Sequence, residues 1–299
     1  MRARYIRKGD MENVNNFVEM LSSVDAGVRR DACESLGDRR SVESVGELAA
    51  MLSDVDPGVR EAALNALTAI GGRKVAEAVA PLLKSESAIK RNMGVEILEL
   101  IGADAFPVIA GMLNDNDDDV VKFAVDIIAN AREEKAIGLL FALVDHANPN
   151  VRASVVVCLG RLKAASAVPL LLRALEDSEE WVRFSAVEGL GLLHDRRALS
   201  PLVKLIENDS GLIKNAAIDA VARIAPAEDA SKVLLKLEPM VKKGKIFNTP
   251  AILELLEKAL APGADFRPGP EFKKSYFNMF AKAIEDGDRS EKLMALKGI

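Results

Sequence analysis

Apolar residues along this 299-residue chain fall in a pattern that returns every 30 or 31 positions. A valine or isoleucine followed by a basic residue marks each return: Val28-Arg29, Val59-Arg60, Ile89-Lys90, Val151-Arg152, Val182-Arg183 and Ile213-Lys214, with Val120 in the same place ahead of Lys122. Four residues further on stand Ala32, Ala63, Met93, Ala124, Val155, Ala186 and Ala217. Eight residues on stand Leu36, Leu67, Ile97, Ile128, Leu159, Leu190 and Val221. Spacing of four and eight places these side chains on one stripe of a helix. Three residues before each marker come Asp25, Asp56, Glu86, Asp117, Asn148, Glu179 and Ser210, mostly types that accept hydrogen bonds from the free amides of a first helical turn. Pro57 and Pro149 follow two of these caps, where a missing N–H costs nothing.

A second helix follows in every unit. Its columns are Val45, Ala76, Phe106, Ile137, Val168, Leu199 and Ala230, then Leu48, Val79, Ile109, Leu140, Leu171, Leu202 and Val233, then Leu52, Leu83, Leu113, Val144, Leu175, Ile206 and Leu237. Gly37, Gly71, Gly102, Gly160 and Gly191 are expected to release the turn between the two helices. Each unit therefore predicts two antiparallel helices of about 12 residues with short connections. A fixed period in this range means stacked units, each burying its apolar side only against its neighbours.

The register sets the expected organisation. Val14, Phe17 and Leu21 make residues 10–22 a half-repeat at the N-terminal end, and repeats fill 23–240. A lysine-rich insertion (Lys242, Lys243, Lys245) precedes a capping helix that opens at Thr249-Pro250, so that 241–262 completes an array spanning 1–262. Residues 263–299 differ in kind, holding Phe266, Phe272, Tyr276, Phe277 and Phe280, five of the chain's 13 aromatic residues. That helix either seals the open end of the stack or docks into another molecule.

Composition narrows the function. The net charge is −5, with 14 basic against 21 acidic side chains in residues 1–120 and 26 against 24 thereafter. Such a balance disfavours nucleic acid, whose affinity comes from phosphate neutralisation. No apolar run predicts a membrane span, and MRARYIRKGD lacks the apolar core of a secretory signal. Cys33 and Cys158 are too few for a disulfide framework and are expected to be buried thiols in a cytoplasmic protein.

The segments DVDPGVREAALNAL from Asp54 and DSEEWVRFSAVEGLG from Asp177 resemble HEAT repeats, specifically the short bacterial kind also called phycobilisome-lyase HEAT-like repeats. The resemblance covers residue 10 to about residue 261. It implies an all-α fold: a right-handed α-solenoid, or superhelix, of about seven two-helix repeats with capping helices, first helices convex and second helices concave. The family spans scaffolds, lyase subunits and enzymes. HEAT-like iron hydroxylases carry paired His-Glu motifs, and this chain has no His-Glu dipeptide. His146 and His194 are its only histidines, so a Cys/His zinc cluster has too few ligands. Asp115, Asp117, Asp118 and Asp119 lack the glycine and closing glutamate of a calcium loop and are read as solvated caps. No phosphate-binding glycine loop is present. No catalytic, cofactor-binding or metal-binding residue is assigned.

What remains is a partner surface. The outward column of second helices holds Ala50, Pro81, Gly111, Ala142, Arg173, Lys204 and Leu235, with Arg197, Lys232 and Lys236 nearby: a small basic patch suited to an acidic protein or an anion. The residue before each marker is small or polar in Gly27, Gly58, Ala88, Asp119 and Asn150, then becomes Trp181 and Leu212, with Phe184 one turn beyond Trp181. Tryptophan anchors binding hot spots, although it also fills local gaps. Two functions follow. A non-catalytic adaptor, in a bacterial signalling or assembly complex, would hold another protein on the concave face or the aromatic edge. A lyase-like enzyme subunit would instead carry a small molecule or chromophore. A HEAT-like DNA-repair protein, with its basic groove, fits less well. The paired Asp and Arg columns are expected to lock repeat to repeat, each arginine reaching the cap of a neighbour.

Overall fold

The computed structural model describes residues 8–208, 211–244, 248–261 and 266–286, and side chains from 14 to 285 within these. Ser210, Lys245 and the last stretch from Gly287 lie outside the described residues. Among the described residues every regular element is helical. The chain divides into two compact units, 1–140 and 141–299.

In the first unit the order is α1 (Lys8–Met20), α2 (Ala26–Asp38), α3 (Val45–Met51), α4 (Pro57–Ile70), α5 (Gly72–Val79), α6 (Ala88–Ile101), α7 (Phe106–Met112) and α8 (Asp118–Ala131). The short α9 (Ile137–Phe141) follows. In the second unit come α10 (Pro149–Arg161), α11 (Val168–Ala174), α12 (Glu180–Leu193), α13 (Leu199–Asn208), α14 (Gly211–Ile224), α15 (Ala227–Lys242), α16 (Thr249–Ala259) and α17 (Pro270–Asp286). First helices stack on first helices, α2 on α4 on α6 on α8 in one unit and α10 on α12 on α14 on α16 in the other. The α3, α5 and α7 helices form the second layer of the first unit. Most second helices are shorter than expected, seven residues in α3, α7 and α11, because a 3-10 turn such as Val42–Ser44 or Ala165–Ala167 leads into them.

The core follows the periodic columns. Leu36, Leu67, Ile97, Ile128, Leu159, Leu190 and Val221 are all 0% exposed. The second-helix positions Leu48, Val79, Leu140, Leu171 and Leu202 are equally closed to solvent. Cys33 and Cys158 lie in this core as free thiols, and burial pushes the Cys33 thiol up to about 11. At the far end Phe272, Tyr276 and Phe280 of α17 are buried, α17 packs on α15 and α16, and Tyr276 donates its hydroxyl to the Leu234 carbonyl at 2.7 Å.

Three sequence expectations are corrected. The cap of the third first-helix is Ser87, not Glu86. The 30-residue step therefore falls between caps Ser87 and Asp117, and Ile89 becomes an exposed surface residue at 59%. The reason is the loop Ser85-Glu86-Ser87: Arg91 donates to the Ser85 and Glu86 carbonyls, as Arg29, Arg60, Arg152 and Arg183 do to theirs. In the fourth repeat Val121 occupies that arginine's place, and Lys122 pairs instead with Asp126 on its own helix.

Secondly, only Gly71 and Gly102 of the five turn glycines adopt left-handed backbone, at φ +64° and +65°. The corresponding positions elsewhere are Arg40, Arg132, Lys163 and His194, with φ between +50° and +55°. Gly37, Gly160 and Gly191 are instead helical and lie where adjacent first helices touch. A Cβ on Gly160 would sit 2.6 Å from Gly189 Cα, and one on Gly37 would sit 2.7 Å from Ala66 Cα.

Thirdly, among the described residues of this column Arg29 and Arg152 reach into the next repeat, and they meet the residue two before its cap rather than the cap. Arg29 grips both oxygens of Asp54 at 2.7 and 2.8 Å, and Arg152 grips both of Asp177 at 2.8 and 2.9 Å. The same carboxylates accept the amides of Asp56 and Glu179, so one side chain fixes its own loop and receives its neighbour's arginine. These pairs are largely shielded, with side-chain exposures of 8–15%, which separates them from ordinary surface pairs. Arginine hydrogen bonds hold Asp54 and Asp177 below the usual carboxylate range. A carboxyl with a lowered folded pKa stabilises the fold above its unfolded pKa, and that contribution is lost as pH falls through the folded value. The thermal midpoint is accordingly expected to fall as pH drops below about 4. Asp177→Asn should flatten that acid limb; an unchanged acid limb would show that the ladder does not couple protonation to stability.

Candidate protein-binding surface

The second unit carries all the residues singled out for binding. Trp181 is the second residue of α12 and is 47% exposed; Leu212 holds the same place on the adjacent α14 and is 65% exposed. Phe184, one turn into α12, is half-buried. Toward their other ends α12 and α14 meet at Gly191, where a Cβ would lie 3.2 Å from Ala220 Cβ. With the corrected caps, the column reads Gly27, Gly58, Ile89, Asp119, Asn150, Trp181 and Leu212. Ile89, with Val24 and Val55 at 102% and 90% exposure in the loops, gives the first unit exposed apolar edge residues of its own. Sequence reading missed these because the register slipped at Ile89 and because an isolated loop valine carries no periodic signal.

The basic patch is present but largely compensated. Arg173 is exposed and binds both oxygens of Asp145, at 2.6 and 2.8 Å. Arg197 binds Asp195 at 2.7 and 2.9 Å and the Ala165 carbonyl at 3.1 Å. That guanidinium holds the Asp195 carboxyl below the usual range. Lys232 lies 3.3 Å from Asp229, which also takes Arg196 at 2.6 Å. Lys204 is exposed and forms no ion pair among the described residues. The second-helix column Ala50, Pro81, Gly111, Ala142, Arg173, Lys204 and Leu235 faces solvent throughout.

Two surface depressions are defined within the units. One of about 480 Å³ lies over α2 and α4, lined by Glu34, Gly37, Glu61 and Ala66 among others. One of about 350 Å³ lies between the end of α15 and α17, lined by Lys242, Lys274, Ser275 and Lys282 among others. In the second, Ser275 Oγ donates to the Glu271 carbonyl at 2.7 Å. His194 ends α12 in left-handed backbone, exposed, with Nδ1 2.9 Å from the Leu192 carbonyl. His146 Nδ1 accepts the Asn148 amide at 3.1 Å. Asp117 caps α8, and Asp115 receives the Asp117 amide and Lys84, consistent with helix-start chemistry in that acidic run. No group of three or more His, Cys, Asp or Glu side chains converges as a metal site among the described residues. No helix among them is long and apolar enough to cross a membrane.

This architecture is matched by the family model described as HEAT repeats, over residues 14–99, 106–190 and 169–238. The chain belongs to the HEAT-repeat family, and its fold is an all-α solenoid. Among solved structures, importin beta in an ammonium sulfate condition is similar with a TM-score of 0.64 at 10% identity, over 98% of this chain and 48% of that one. An engineered protein is similar with a TM-score of 0.48 at 18% identity, over 96% of this chain and 87% of the other. The complex of CpcE and CpcF of phycocyanin lyase from Nostoc sp. PCC7120 gives a TM-score of 0.37 at 17% identity, over 80% of this chain and 99% of the other. At 10% identity the importin beta likeness speaks to fold alone. No curated protein matches the chain.

Proposed function

We propose that this protein is a non-catalytic adaptor that holds another protein on the aromatic edge of its second unit. HEAT repeats commonly mediate protein interactions, and the arrangement here favours the edge over the basic patch. The observation that carries the proposal is the exposure of Trp181, the chain's one tryptophan, beside Leu212 at the equivalent place on the next repeat. Large apolar side chains left in water at two successive helix starts are the kind of anchors around which interface energy concentrates. Arg173, Arg197 and Lys232 already have carboxylate partners, so an acidic partner would have to displace them. They act as a flanking surface, in which Lys204 and Lys236 are exposed and in no ion pair among the described residues.

The test is affinity capture with wild-type and Trp181→Ala baits, followed by titration of the captured protein. Truncating an anchor of this kind costs about 2 kcal/mol or more, roughly 30-fold in affinity. Loss of the same protein from the variant, with an unchanged thermal midpoint, is the expected result. Equal capture and equal affinity would remove the edge from the account. An enzyme subunit would instead retain a small molecule, which intact mass and absorbance of the purified protein would register.

A further inference from the structure

The aromatic edge is bordered by negative charge. The loop entering α12 reads Glu176-Asp177-Ser178-Glu179-Glu180, directly ahead of Trp181. Asp177 is occupied by Arg152 and by the Glu179 amide. Glu179 stands at the cap position, yet its carboxylate accepts no backbone amide of the helix, unlike Asp25, Asp56, Asp117 and Asn148 at theirs. Glu176 and Glu180 are exposed, and none of these three glutamates forms an ion pair among the described residues. Arg183, one turn into the helix, donates to the Asp177 and Ser178 carbonyls at 2.9 and 3.1 Å. Glu176, Glu179 and Glu180 are thus left without an ion-pair partner among the described residues, next in sequence to a half-exposed indole that has no ring or cation partner among them.

We infer that this edge receives a cationic peptide segment of the partner protein, its lysine or arginine lying against Glu176, Glu179, Glu180 and the face of Trp181, its neighbouring apolar side chain against Leu212. Uncompensated negative charge next to an exposed aromatic face selects a cation, because the ring quadrupole and the carboxylates attract it together. An acidic segment at the same place would meet like charge. The inference rests on the edge being the partner-binding surface and adds the chemistry of what binds there.

The experiment uses the full chain and two labelled peptides, one of alternating lysine and leucine and one of alternating glutamate and leucine, followed by fluorescence anisotropy. Trp181 emission reports directly on the site, since no other tryptophan contributes. The lysine peptide is expected to bind and to shift that emission, and the glutamate peptide to do neither. Glu176→Gln with Glu180→Gln should weaken the lysine peptide about two- to tenfold. Glu43→Gln with Glu47→Gln, which makes the same change in net charge at exposed carboxylates of the first unit, should leave it unchanged. Equal binding of both peptides, an unmoved Trp181 emission, or equal weakening by both double variants would overturn the inference. If Trp181→Ala abolishes capture of the partner while Glu176→Gln with Glu180→Gln leaves the peptide bound as before, the edge stands and its cationic ligand falls. If Trp181→Ala leaves capture intact, the edge itself is lost.

Discussion

Gly160→Ala is expected to destabilise the second unit by about 1–3 kcal/mol, although alanine is the better helix former. The added methyl favours helix by about 1 kcal/mol through reduced backbone entropy in the unfolded chain. Against this, the new Cβ would lie 2.6 Å from Gly189 Cα and 2.7 Å from its carbonyl oxygen. Both are backbone atoms and have no rotamer by which to yield, so α10 and α12 must move apart along the whole contact. Gly111→Ala is the control: the residue is helical, exposed and has nothing within 4 Å of the added Cβ. It should gain up to about 1 kcal/mol. Opposite signs in thermal or urea unfolding are the expected outcome; a stabilised Gly160→Ala protein would mean that the two helices do not approach so closely.

Leu190→Ala should cost more, about 2–5 kcal/mol. Leu190 is 0% exposed in the middle of α12, the helix that packs against both α10 and α14. Removing its side chain leaves a cavity, and the surrounding helices are already drawn together at Gly160, Gly189 and Gly191, which leaves little freedom to collapse into it. A urea midpoint shifted by less than 1 kcal/mol equivalent would contradict the burial described here.

Much of the fold was legible in the sequence, and the reasons are local. Helix period, apolar columns and acidic caps repeat within one unit, so Leu67, Leu159, Asp25 and Asp56 could be placed without three-dimensional information. The misreadings arose where the needed information lay in a neighbouring repeat. Gly160 and Gly71 both stand near a helix end, but only contact with Gly189 distinguishes a close-packing glycine from the left-handed terminator that Gly71 is. Arg29 and Asp54 are 25 residues apart, and their bidentate pairing depends on how one loop overhangs the next. The candidate site was half legible. Trp181 broke its column and was found on that account. The compensation of Arg173 by Asp145, 28 residues earlier, was invisible until the repeats were stacked. The register at Ile89 failed because Ile89-Lys90 imitates the marker pair, while the cap falls at Ser87, whose amide donates to Ser85 Oγ and whose loop carbonyls take Arg91.

The central physical claim is that each repeat is held only by its immediate neighbours, so that damage stays local. Hydrogen exchange of the Leu190→Ala protein, resolved along the chain by mass spectrometry, tests it most directly. Faster exchange in α10, α12, α14 and their connecting helices, with wild-type protection retained across residues 26–131, is the predicted result. A uniform rise in exchange over the whole chain would show one shared core and contradict the account.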